Sequence, residues 1–194
     1  MPTHSSLCSS EENLRYPAPK KYVLVLSCVD ARLLDDLVRF LDQDNLANRY
    51  YHVTLPGTAL GLTDRVKQDS SDKDLLKQFR RWRQTFIDQV RAAVLLTKGQ
   101  ITDIYIVQHE DCGAFRVYIE KDSAEMSPED ELNLHQDYAH ALLKDIAKNF
   151  FSEYHPIIDP QVGKPEQQQK KKPLVHTFYM DLRGHVKHLE SSSH

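Results

Sequence analysis

Tyr22-Val23-Leu24-Val25-Leu26 is a continuous apolar run and residues 101–107 are a second, strongly apolar stretch; both are rich in β-branched side chains, and each stops abruptly at a polar cluster. A strand with one wet face alternates apolar and polar residues. An unbroken run is buried on both faces, as in a parallel sheet covered by helices. The intervening sequence supplies those helices. Leu33, Leu34, Leu37, Val38 and Leu41 recur at helical spacing within residues 33–46, and Leu75, Phe79, Trp82, Phe86, Val90 and Val94 step by three or four until Gly99. Between these patterns, Tyr51 to Thr54 is short and β-prone and runs into the turn signal Pro56-Gly57. Strand, helix and strand in succession predict an α/β fold.

Further along, Ser127-Pro128-Glu129-Asp130 has the features of a helix start, and the pattern continues through Leu132, Ala139, Leu142, Leu143, Ile146 and Phe150. Residues 174–180, followed by Arg183-Gly184 and Val186, read as a late strand and tight turn at the sheet edge. With 194 residues the chain fits one domain. Residues 1–20 are polar, carry Pro17 and Pro19 and lack periodicity, so a flexible arm is expected there and a single domain over 21–194. Residues 155–173, with several prolines and a Gln and Lys tract, read as a solvated connection.

Charge and cysteine usage narrow the function classes. Lys and Arg number 25 against 28 Asp and Glu, a net charge of -3, and the short Lys170-Lys171-Lys172 patch is the main run of one sign. A nucleic-acid backbone is therefore not the expected partner. No stretch is long and apolar enough for a signal peptide or a membrane span. Three widely spaced cysteines, Cys8, Cys28 and Cys112, do not make a disulfide framework, which favours a reducing, cytoplasmic setting. Cys8 reads as a free thiol without function.

The polar clusters at the two strand ends carry the chemistry. The first strand runs into Cys28, with Asp30 and Arg32 at alternate positions, and the second into His109-Glu110-Asp111-Cys112-Gly113. Ligands bind at the carboxyl ends of strands in open parallel sheets. Adjacent strand tips can converge two thiolates and an imidazole on one zinc ion, leaving a fourth tetrahedral position for a water or for the Asp30 carboxylate.

In these two motifs, Cys28-x-Asp30-x-Arg32 and His109-x-x-Cys112-Gly113, the chain resembles the β-class carbonic anhydrases, whose pattern is C-x-D-x-R at one strand end and H-x-x-C-G at another. The likeness extends over residues 92–107 and, weakly, 176–189. It implies a central, mostly parallel sheet of about four strands plus an edge strand, flanked by helices, and a homodimer or higher homo-oligomer. It also implies one Zn2+ per chain on Cys28, His109 and Cys112, and Asp30 with Arg32 as a catalytic pair. The implied reaction is reversible hydration of carbon dioxide to bicarbonate by a zinc-bound hydroxide, with activity rising toward alkaline pH because two thiolates offset the charge of the ion.

Two positions depart from that pattern. Pro19 stands about nine residues before Cys28, where the family has a glutamine, and the chain has no glutamine before Gln43. Leu55-Pro56-Gly57-Thr58-Ala59-Leu60-Gly61 replaces an Arg-Asn-Ala-Gly type loop. These differences admit a related zinc hydrolase acting on carbon disulfide or carbonyl sulfide, and a catalytically silent regulatory protein with Asp30 closing the metal shell. Among the remaining residues, Asp111 reads as a loop cap or as an acceptor behind the site. Phe79, Trp82 and Phe86 read as core or subunit surface. His135 and His140, five apart on a helix, and His176, His185, His188 and His194 read as solvated.

Overall fold

The computed structural model describes residues 22–146 and 173–192. The arm expected over 1–20 with Cys8, the connection over 155–173 apart from its last residue, Phe150 and His194 lie outside these residues.

The apolar runs form the middle of a five-stranded sheet. Strand β1 spans Tyr22–Ser27, β2 Tyr50–Thr54, β3 Ile101–His109, β4 Leu174–Met180 and β5 Val186–Ser191, in the spatial order β2-β1-β3-β4-β5. The first four are mutually parallel and β5 returns antiparallel to β4 along the edge. Val23, Leu24, Val25 and Leu26 are fully buried, as are Ile104 and Ile106, which is why neither central run alternates. The chain leaves β1 toward β2 on one side and later takes up β3 on the other. That reversal puts a topological switch point between β1 and β3, where the carboxyl ends of neighbouring strands open a crevice.

Helices α1 (Leu34–Gln43), α2 (Val66–Asp69), α3 (Lys73–Leu96), α4 (Gly113–Ile119) and α5 (Pro128–Asp145) flank the sheet. The carboxylate of Asp72 opens α3 by accepting the N–H groups of Asp74 and Leu75, and Phe79, Phe86, Val90, Ala93 and Val94 form the buried stripe that the sequence pattern predicts. Gly99, at φ +79°, follows its end and returns its N–H to the Val94 carbonyl. Ser127 caps α5 with Pro128 in the first turn, again as predicted.

Two boundaries differ from the sequence reading, and two short helices are absent from it. The first helix ends at Gln43 rather than near Leu46, because Asn45 turns left-handed (φ +58°) and Leu46 folds back to donate to the Leu41 carbonyl. Strand β3 continues two residues past Val107, since parallel pairing with β4 persists through Gln108 and His109. Helices α2 and α4 carry no sequence signal of their own. At four and seven residues they are too short to show a period, and α4 exists by burying Phe115 and Ile119.

Phe79, Trp82 and Tyr118 form an aromatic cluster with centroids 5.0–5.7 Å apart, against which the loop after β2 packs. A Cβ at Gly61 in that loop would lie 2.6 Å from Trp82 Cε3 and 2.8 Å from Phe79 Cδ1. Gly61→Ala is therefore expected to destabilise the fold by about 1–3 kcal/mol, read as a lower urea midpoint at an unchanged slope.

Candidate metal centre

The β1–β3 register sets Ser27 opposite Val107, so Cys28 and His109 emerge from neighbouring strand tips on the same edge. The chain turns through Glu110 and Asp111, the latter left-handed at φ +51°, and brings Cys112 back as the residue before α4. The ligating atoms of Cys28, His109 and Cys112 all lie within 4.8 Å of one another, and all three residues are buried. The two sulfurs are 3.9 Å apart.

The imidazole is held in one orientation. His109 Nδ1 lies 2.7 Å from the carbonyl of Glu110 and donates to it, which leaves the lone pair on Nε2. That nitrogen is buried and has no hydrogen-bond partner among the described residues. An unpaired acceptor is costly in the interior, and here it stands beside two thiols. Two sulfurs and one imidazole nitrogen make a donor set suited to zinc, and the arrangement fits that ion.

The same geometry couples the thiols. A hydrogen bond from Cys112, helped by His109 and by the Gly57 N–H 3.3 Å from its sulfur, pulls the Cys28 pKa well below the usual thiol range. The pKa of Cys112 is pushed up by its bond to Cys28 and by burial, against the N–H groups of Ala114 and Phe115. Without a cation between them the buried pair keeps one proton. Gly57 matters for this cradle, since its φ is +69° and a Cβ there would lie 2.8 Å from Leu60 Cβ and 3.2 Å from Ala114 Cβ, which leaves no room for a side chain.

Asp30 stands at the rim, and the Arg32 guanidinium occupies both of its carboxylate oxygens. Arg32 Nε and backbone N donate to Oδ1, each at 3.0 Å, and Nη2 donates to Oδ2 at 2.7 Å. These bonds hold the Asp30 pKa at about 2. Asp30 is thus oriented by Arg32, and the donor cluster consists of the two cysteines and the histidine. The other half of the guanidinium fork grips Asp111, through its carboxylate at 2.7 Å and its carbonyl at 2.8 Å. Asp111 is therefore an acceptor for Arg32, which its position in the sequence did not determine.

His135 corrects the sequence reading. It is buried, at 1 % exposure, on the inner face of α5 with Glu131, Tyr138 and Leu142. Its ring lies 4.2 Å from that of Phe115 and 6.4 Å from that of His109, and Nδ1 is 3.4 Å from Gln108 Oε1. Burial pushes its pKa down to about 3, so it is neutral. Spacing to His140 alone could not reveal this, whereas a helical wheel through Leu132 and Leu142 leaves His135 near the apolar stripe. His140 remains partly exposed against Glu190, and His185 and His188 are exposed. His176 is half-buried between Asp103 and Ser191 rather than solvated.

The chain matches no family model. It is 25% identical over 166 residues to an uncharacterised protein of Rickettsia conorii, covering 86% of this chain and 70% of that one. It is 26% identical over 166 residues to an uncharacterised protein of Rickettsia bellii, with 86% and 80% covered. Among solved structures it is similar to a tetrameric β-carbonic anhydrase from Sordaria macrospora, with a TM-score of 0.50 and 13% identity, over 90% of this chain and 83% of that one. The fold is β-carbonic-anhydrase-like. Within this fold, Cys28, His109 and Cys112 form a buried Cys-His-Cys cluster able to hold a metal ion. No helix among the described residues is long and apolar enough to cross a membrane.

Two measurements test this centre. Because the thiol pair holds a proton that a bound dication would expel, zinc uptake at about pH 7 is expected to release protons. Calorimetry in buffers of different ionisation enthalpy reads the number, and Cys112→Ser is expected to release fewer while binding at least tenfold more weakly. For Asp30, the folded pKa of about 2 lies below the unfolded value near 3.9, so its contribution to stability is full above about pH 4 and is lost as pH falls through 2. Arg32→Leu is expected to return the Asp30 midpoint toward the ordinary carboxylate range in a 13C NMR titration.

Proposed function

We propose that this chain is a zinc-dependent carbonate dehydratase, interconverting carbon dioxide and bicarbonate. The observation that carries the reading is a buried cluster of three N and S donors whose neighbouring carboxylate is already committed to an arginine. Three protein ligands leave one position of a tetrahedral shell for solvent, and zinc held there by Cys28, His109 and Cys112 would supply an acidified water near neutral pH.

The chain's own residues have definable parts in this scheme. Arg32 fixes the plane of the Asp30 carboxylate through paired N–H bonds and keeps it ionised, so the remaining lone pairs of Asp30 can accept the O–H of the nucleophile and orient it. The Glu110 carbonyl fixes the His109 tautomer that turns Nε2 toward the cluster. The Gly57 N–H donates to Cys28 Sγ and lowers its basicity. The loop that carries Gly57 presents buried Leu55, Ala59 and Leu60 where a more polar sequence was expected. Carbon dioxide is the first choice of substrate, and the altered loop sequence at residues 55–61 leaves carbonyl sulfide and carbon disulfide as the alternatives.

A silent protein closed by Asp30 would need that carboxylate to abandon Arg32, and the paired bonds at 2.7 Å and 3.0 Å favour the open arrangement. A reducing compartment such as the cytoplasm, which keeps Cys28 and Cys112 as thiols, and an assembly of two or more copies belong to the same reading. Stopped-flow hydration of carbon dioxide by zinc-loaded protein at about pH 7 and pH 8.5 tests it. Turnover is expected to increase with pH and to disappear in Cys112→Ser. One zinc bound per chain with no turnover at either pH would end the reading for this substrate and direct the assay to the sulfur-containing gases.

A further inference from the structure

The loop between His109 and Cys112 is held from the side opposite the donor cluster. Glu131, in the first turns of α5, is a buried carboxylate at 5 % exposure, and its Oε1 accepts the backbone N–H of Asp111 at 2.7 Å and the hydroxyl of Ser123 at 2.5 Å. Asp111 has a left-handed backbone, φ +51°, a conformation that Asp tolerates better than most residues. From that conformation its carboxylate and its carbonyl face Arg32 together, accepting Nη1 and Nη2 at 2.7 Å and 2.8 Å. Arg32 spends the rest of its fork on Asp30. An unbroken chain of hydrogen bonds thus runs from Glu131 through Asp111 and Arg32 to the carboxylate beside the metal-ligand cluster.

A guanidinium gripped on one edge only could swing, and Asp30 would swing with it. The grip on the other edge depends on the turn at Asp111, and the turn depends on an acceptor for its N–H inside the protein. Arg32 and Asp111 are each nearly half exposed, so water competes for their contacts with one another. The bond from the Asp111 N–H to Glu131 involves a buried carboxylate and escapes that competition.

We propose that Glu131 is a positioning residue for the metal centre: by fixing the turn at Asp111 it holds Arg32 on Asp30 and keeps Asp30 from taking the fourth metal position. The effect deepens the proposed function, because the open position is where substrate chemistry would occur. Its test does not depend on turnover.

The full chain loaded with cobalt(II) reports the coordination shell in its visible spectrum, and titration with azide measures how freely an outside anion reaches the fourth position. In Glu131→Leu, azide affinity is expected to fall about tenfold or more, the usual range for losing a residue that supports a metal shell. Asp111→Ala is expected to lose as much, and the double variant no more than either single one, since all act through one chain. Glu131→Gln keeps an acceptor for the Asp111 N–H and is expected to stay within about threefold of the unmodified protein. Asp30→Asn placed in the Glu131→Leu background is expected to restore azide affinity, because the competing carboxylate is gone. A purely structural Glu131 would lower the melting temperature and leave the spectrum and azide affinity unchanged, which would overturn the proposal. Should Glu131→Leu fail to fold, Asp111→Ala sits at an exposed position and reads the same chain, and unchanged azide affinity there would break it. Normal azide behaviour in a protein that hydrates no carbon dioxide would count against the proposed function and leave this positioning role standing.

Discussion

Ser27 and Val107 face each other in a parallel ladder, and the next residues along each strand leave the sheet at the same edge. Everything chemical in this protein depends on that pairing. Cys28 and His109 are 81 positions apart in the chain by their numbers, and no local preference could bring a thiol and an imidazole together over such a distance. The β1–β3 ladder does so because both strands are apolar on both faces and can be buried only beside each other under helices. The switch point then supplies a crevice where the two tips meet.

The crevice is electrostatically unsatisfied as the protein alone constitutes it. Two buried sulfurs 3.9 Å apart share a proton, and a buried imidazole nitrogen beside them has no hydrogen-bond partner among the described residues. A dication would satisfy all three atoms together. The rim has the opposite character. Asp30, Arg32 and Asp111 form a set of charge-assisted bonds that stays outside the cluster.

Behind the cluster, α5 contributes polar groups that are buried rather than wet. Glu131 holds the turn at Asp111, and His135, kept neutral by burial, lies between Gln108 and the ring of Phe115. A helix that packs on β3 and β4 therefore also holds the loop between two of the candidate donors. Packing and site geometry are joined in one element, so damage to the core on this side is transmitted to the centre.

The sequence by itself determined the α/β class, the two central strands, the long helix α3, the start of α5 and the three residues that converge as candidate donors, because each rests on local pattern: strongly apolar runs, helical spacing, a cap, and two motifs at strand ends. It left open whether Asp30 faces the metal or Arg32, what Asp111 does, and where His135 lies. It also did not reveal α4, whose seven residues are too few to establish a period. Tertiary structure decided these points, since each depends on groups distant in the chain: the Asp111 acceptors 79 residues from Arg32, the Glu131 carboxylate 20 residues from the N–H it receives, and the Gln108 and Phe115 side chains that enclose an imidazole from another helix. A short motif can specify which atoms bind an ion. The orientation of the charges around it is a balance of many partial hydrogen bonds and degrees of burial, and those exist only once the sheet has brought the strand ends together.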